Sequence, residues 1–122
     1  MTEKLTDLTI YTTNKNATSH IKCEVADSFW KRFKGLMLRS SLKSNTGLFI
    51  APCNSIHMCF MRFAIDVIYV DRNYRVLKVV KNLRPWLGVS YCYGAYGVIE
   101  VNCGESAKIL AQSSSLSTSE TT

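Results

Sequence analysis

Residues 54–66 run Asn54-Ser55-Ile56-His57-Met58-Cys59-Phe60-Met61-Arg62-Phe63-Ala64-Ile65-Asp66. They set one histidine, one arginine and one aspartate in an otherwise apolar stretch. Polar groups in such company must find partners or face water. They mark either a buried structural network or a small functional surface. Asp66 heads an apolar strand, where a carboxylate needs an arginine, a lysine or several backbone donors. Arg32, Arg39 and Arg62 are the available cations. A bidentate pair between Asp66 and one of them, fastening a helix or its following loop to a sheet, is the leading reading.

The same residues support functional readings. Arg32, Arg39 and Arg62, joined by His57, would accept a small anionic ligand or a peptide carboxylate, because guanidinium groups donate in a planar, charge-assisted fork. His57 and Asp66 would alternatively act as proton-transfer groups of an enzyme. His57 and Arg62 lie five apart, so they share a site only if residues 59–61 bend. His57 and Cys59 share a face of a regular strand, but no nucleophile motif surrounds Cys59, and core packing is the stronger reading. Cys53, His57 and Cys59 are too few for an ordinary zinc site, so no metal is expected. Glycine-rich phosphate loops and the His-Glu-x-x-His pattern do not occur, and no cofactor is expected.

These side chains need a β framework. Leu8–Tyr11 reads as a first strand. His20–Val25 alternates cleanly and reads as a half-buried strand with Ile21, Cys23 and Val25 inward. A helix capped by Asp27 or Ser28 carries Phe29, Trp30 and Phe33 and ends near Gly35. Further strands are expected at Leu48–Ile50, Ser55–Met61, Ile65–Val70, Tyr74–Val80, Ala95–Val101 and Lys108–Ala111. Asp71-Arg72-Asn73 suits a tight hairpin turn, and Arg84–Gly88 a surface loop. The pattern predicts a mainly β, compact antiparallel barrel-like or sandwich-like domain with one or two short helices. Residues 1–19 form an N-terminal segment with an edge strand. Residues 20–111 form the single domain, and 112–122, rich in Ser and Thr, a disordered tail.

Composition narrows the classes. With 122 residues, 47% of them hydrophobic, the chain suits one core-bearing domain. The net charge of +6 gathers at Lys31, Arg32, Lys34, Arg39 and Lys43 and again between Arg72 and Arg84. A solvated basic face is the first reading of this excess, and weak nucleic-acid binding a lesser one. No run is apolar enough to span a bilayer and no leader is visible. A cytoplasmic protein without a membrane partner is expected. The odd count of five cysteines argues against a disulfide scaffold and for buried, inert thiols. The aromatic set Trp86, Tyr91, Tyr93 and Tyr96 is read chiefly as core packing.

Four ordered blocks carry a family resemblance: Arg32-Phe33-Lys34-Gly35-Leu36-Met37-Leu38-Arg39; Gly47-Leu48-Phe49-Ile50 with Pro52-Cys53; Ile56-His57 through Arg62-Phe63 to Ile65-Asp66; and Val98-Ile99-Glu100-Val101 with Gly104. Over roughly residues 22–110 the chain resembles the small prokaryotic DUF192 family, also called UPF0127. Met58 and Ala64 stand where related sequences commonly have Thr and Pro. The resemblance implies a small β-rich domain and no established activity. The expectation is therefore a noncatalytic binding or accessory domain with an anion-accepting site near Arg32, Arg39, His57 and Arg62.

Overall fold

A computed structural model describes residues 5–12, 18–26, 28, 35–37, 39 and 41–111. Most of the expected helix at 27–35, Arg32 and the expected tail after 111 lie outside these residues.

The β-branched run Ile65–Val70 is buried at every position and forms a central strand, β5. Around it stand β1 (Thr6–Tyr11), β2 (Thr18–Ala26), β3 (Thr46–Ile50), β6 (Val76–Leu83) and β8 (Gly97–Asn102). They make a six-stranded sheet in the order β1-β2-β3-β8-β5-β6. The expected β-rich class holds. All pairs are antiparallel except β2–β3, which run parallel. A parallel pair needs a long crossover. The connection 27–45 supplies it, and its Leu36 and Leu42 are buried against the sheet.

The sheet curls. At one end its two edge strands meet, where the Tyr11 amide donates to the Tyr74 carbonyl at 2.9 Å and Tyr11 bridges Arg75. Asp71 shapes the β5–β6 turn by accepting from the amides of Asn73 and Arg75. Alternate residues then sort to two faces. The inner face gathers Ile10, Ile21, Cys23, Phe49, Ile68, Val70, Ile99 and Val101. The outer face carries Ala26, Leu48, Ile50, Val67, Tyr69 and Val98, covered by Leu36, Leu42, Ile56, Met58 and Met61.

Three expectations need correction. Residues 108–111 are not a strand but part of a helix, α1, at 105–111. A run of three apolar residues after Lys108 does not distinguish the two by periodicity, and here the start of the helix is fixed from outside. The Asp66 carboxylate holds the amides of Gly104 and Ser106, and Ile109 plugs the inner face while its carbonyl accepts from Ser19 Oγ at 2.9 Å. The strand expected over 55–61 stops at His57. It forms β4 (Ser55–His57), paired with a strand the sequence did not suggest, β7 (Val89–Tyr91).

The reason for the stop is local. The Met58 carbonyl accepts from Met61 N at 3.1 Å and from Trp86 N at 2.7 Å, so the chain turns. Phe60 and Trp86 sit at φ 64° and 68°, a left-handed conformation costing about 1 kcal/mol per residue. Finally, of the later aromatics only Tyr96 packs against the core. Trp86, Tyr91 and Tyr93 are 56%, 54% and 88% exposed.

Candidate functional site

The β4–β7 ribbon lies over the outer face of the sheet with Ile56 buried beneath it. Between ribbon, sheet and crossover is a cavity of ≈ 60 Å³, room for a few water molecules or the end of a small ligand. Its wall includes Gly35, Ile50, Cys53, His57, Met58 and Glu100. The turn at Met58 brings both Met58 and Met61 to this wall.

Glu100 is the unusual group. It lies on β8 opposite Val67 of β5 and Leu48 of β3, so its side chain shares the outer face with Val98. It is 4% exposed, and its Oε1 accepts no hydrogen bond among the described residues. Burial pushes its carboxyl up to about 7, against the pull of the Arg39 guanidinium. Gly35, at φ +51°, faces it without a side chain; a Cβ there would come 3.7 Å from Oε1. The headspace over the carboxyl is therefore left open by the backbone.

The neighbours are weakly polar. Cys53 Sγ donates to the Ser55 carbonyl at 3.1 Å, and burial pushes its thiol up. Tyr69 Oη and Ser90 Oγ are buried close together without a standard hydrogen bond among the described residues, and burial raises the Tyr69 hydroxyl. Neither Cys53 nor Tyr69 is an activated nucleophile or base, because both are held in their protonated forms.

Among the described residues, the structure does not bring the members of the expected cluster together. Asp66 is 1% exposed, but its partners are not Arg39 or Arg62. Its Oδ1 accepts from Asn82 N at 2.9 Å, and its Oδ2 from Gly104 N at 3.0 Å, Ser106 N at 3.2 Å and Ser106 Oγ at 2.6 Å. Among the described residues, several neutral donors meet the carboxylate and no guanidinium does. Arg39 instead makes a bidentate pair with Glu24, both bonds 3.0 Å. Asp66 pairs in register with Val101, one position from Glu100, and so projects to the opposite face from the cavity. His57 lines the cavity wall, and the structure does not bring it to Asp66. Arg62 is exposed just past the Met58 turn. Arg32 is outside the described residues.

Among the described residues no three His, Cys, Asp or Glu side chains converge as metal ligands. The cysteines are free thiols; Cys23 and Cys92 are buried, whereas Cys59 and Cys103 are exposed, contrary to the expectation of uniformly buried thiols. Glu100 is the residue that sequence reasoning missed. The signal was present in Val98-Ile99-Glu100-Val101, a lone carboxylate inside an apolar strand, the same pattern that singled out Asp66.

Comparison with known proteins gives a consistent picture. Residues 10–115 match the DUF192 family, described as "Uncharacterized ACR". A UPF0127 protein of Thermococcus sibiricus is 39% identical over 88 residues, covering 68% of this chain and 56% of its own length. A UPF0127 protein of Thermococcus gammatolerans is 42% identical over 77 residues, 59% of this chain and 49% of its own. The chain thus spans about half the length of these curated relatives. A crystal structure of a protein of unknown function from Novosphingobium aromaticivorans superposes with TM-score 0.73 at 22% identity, over 88% of this chain and 79% of that one. A second, described as a putative transcription regulator from Sinorhizobium meliloti, gives TM-score 0.74 at 16% identity over 88% of each chain. At those identities the likeness shows the fold alone. With its four motif blocks inside the matched residues 10–115, the chain belongs to the uncharacterised DUF192 family.

Proposed function

We propose that this protein is a small noncatalytic binding domain whose ligand enters the cavity beneath the β4–β7 ribbon. The observation carrying this reading is the buried Glu100 Oε1, which faces open space without a donor among the described residues. Leaving such an acceptor unpaired costs about 1–3 kcal/mol. A ligand bearing an N–H or O–H group would recover that cost, so amides, amines and amidines are the favoured chemistry. Below about pH 7 Glu100 is a neutral carboxylic acid that both donates and accepts, and above it an anion that attracts a cation.

An anionic ligand or peptide carboxylate is the second reading. It rests on His57 and Arg62, which are exposed on the segment that lines the cavity. It has less support, because Glu24 already engages Arg39 and an ionised Glu100 repels anions. Acid–base catalysis by His57 and Asp66 lacks support for a geometric reason, since the four donors on Asp66 lie across the sheet. Nucleic-acid binding retains only the basic charge.

A panel of small amides, amines, carboxylates and phosphates, screened by nuclear magnetic resonance at pH 6 and pH 8, tests the reading. Amides or amines should shift the signals of residues 50–61 and 100, and Glu100→Gln should weaken the amines most at pH 8. Carboxylates that bind instead, or donors whose binding ignores Glu100→Gln, would overturn it.

A further inference from the structure

The β4–β7 ribbon also has an exposed face, on which Ser55 and His57 border the cavity as well. Ser55 and His57 on β4 and Val89 and Tyr91 on β7 are exposed, whereas Ile56 between the former pair is buried. Beside the ribbon, the Phe60 and Trp86 rings pack at 5.1 Å between centroids with their planes tilted by 59°. The two loops carrying them are tied through the Met58 carbonyl, and both residues are held at positive φ. Strained backbone that persists to hold two aromatic rings outward is a feature from which function is fairly sought. Leu87, Val89 and Tyr93 reach 86%, 74% and 88% exposure. Side chains that exposed stand clear of the surface as separate projections rather than lining a groove.

The charge on the segments that carry them is of one sign. Residues 54–65 and 72–99 contain Arg62, Arg72, Arg75, Lys78, Lys81 and Arg84, and no Asp or Glu. All six are exposed, and Arg62 and Arg84 follow and precede the packed pair closely in sequence. Projecting Leu, Val, Trp, Tyr and Phe within a cationic border match the demands of a lipid–water interface. Aromatic rings settle at headgroup depth, aliphatic tips enter the acyl boundary, and Lys and Arg meet anionic headgroups. A protein partner would have to offer a separate pit for each projection, whereas a fluid bilayer yields around them. Single-stranded nucleic acid would use flat stacking platforms, and Leu87 and Val89 provide none.

We infer that the Phe60–Trp86 and Leu87–Tyr93 surface docks peripherally on an anionic lipid bilayer. The expectation of no membrane partner came from counting apolar runs long enough to span. No helix among the described residues is long and apolar enough to cross, but lying on a membrane requires only projecting side chains and charge. This docking is independent of the Glu100 cavity and does not depend on what occupies it.

Cosedimentation with vesicles of phosphatidylcholine and phosphatidylglycerol in a three-to-one ratio, compared with phosphatidylcholine alone, tests the inference on the full chain. Binding should appear with the anionic vesicles and weaken steeply with salt. Lys81→Gln with Arg84→Gln should weaken it by roughly tenfold or more, about fivefold per charge. Leu87→Ser with Val89→Ser should weaken it at least about tenfold. Both positions are exposed, so circular dichroism should show unchanged folding. Anionic vesicles that fail to bind would overturn the inference. So would binding that ignores the Leu87 and Val89 substitutions, or equal affinity for single-stranded DNA or polyglutamate, since each would mean charge attraction alone.

Discussion

Asp66 and Glu100 are carboxyls on adjacent strands, one register position apart, and they project to opposite faces of one sheet. Asp66 accepts four hydrogen bonds on the inner side. Glu100 leaves Oε1 without a donor among the described residues, beside the outer cavity. Equal burial has thus produced a fastening on one side and a binding candidate on the other.

Glu100 makes stability depend on pH. Its carboxyl moves from 4.5 to about 7 on folding, so the folded state holds a proton that the unfolded chain releases. The stabilising effect is fully present below pH 4.5 and is lost as pH rises through about 7. The change is of the order of 3 kcal/mol. Glu100→Gln should therefore be more stable than the parent at pH 8, with the gap closing towards pH 4.5. Urea unfolding across this range checks it, and parallel pH profiles would refute it.

Asp66→Ala should cost about 2–3 kcal/mol, because it strands the buried Ser106 amide, while the amides of the exposed Asn82 and Gly104 can turn to water. Ser106→Ala should cost about 1–2 kcal/mol, since the backbone donors remain. Denaturant unfolding gives both values. A loss below 1 kcal/mol for Asp66→Ala would show that α1 is anchored some other way.

Arg39 has two separable effects. With the guanidinium about a third exposed, a double-mutant cycle with Glu24 should give a coupling of about 0.5–1 kcal/mol despite the bidentate geometry. Arg39→Ala should also move the titration of Glu100 above its parent value of about 7, because a favourable positive charge is removed. Carbon-13 detection of the Glu100 carboxyl measures the second effect. An unmoved midpoint would count against the contact.

Thiol reactivity should rank by environment. Cys59 and Cys103 are exposed and should react first with an aromatic disulfide reagent at pH 8. Cys23 is buried, with its thiol pushed up to about 12, and should react only on unfolding. Mass spectrometry of the labelled sites decides it, and early labelling of Cys23 would contradict the buried position.

Much of the fold was legible because its signals are local. Ile65–Val70 announced a buried strand, and Asp71 its turn. Asp66 was legible as a buried carboxylate, but its partners were not. They come from Asn82, Gly104 and Ser106, distant in sequence, and are mostly backbone amides without a side-chain signature. The same limit hid α1, whose start depends on that carboxylate. The run 55–61 looked like continuous strand because the turn at Met58 is enforced by a hydrogen bond from Trp86 N, again a long-range contact. Glu100 was overlooked although Val98–Val101 showed a lone acid among apolar residues. Its consequence depended on the cavity, which only the β4–β7 ribbon creates.

The junction of Tyr11 with Tyr74 bears on whether the sheet can add strands from another chain. A sheet with open edges offers unpaired amides and carbonyls as a template for further strands. Here β1 and β6 occupy the two edges, they are tied together at one end, and Lys78 and Lys81 are exposed along β6. Lysines discourage edge-to-edge addition, and the tie keeps β1 over the edge of β2. Loss of β1 would uncover His20–Val25, an alternating strand, as a ready nucleus for fibrillar stacking.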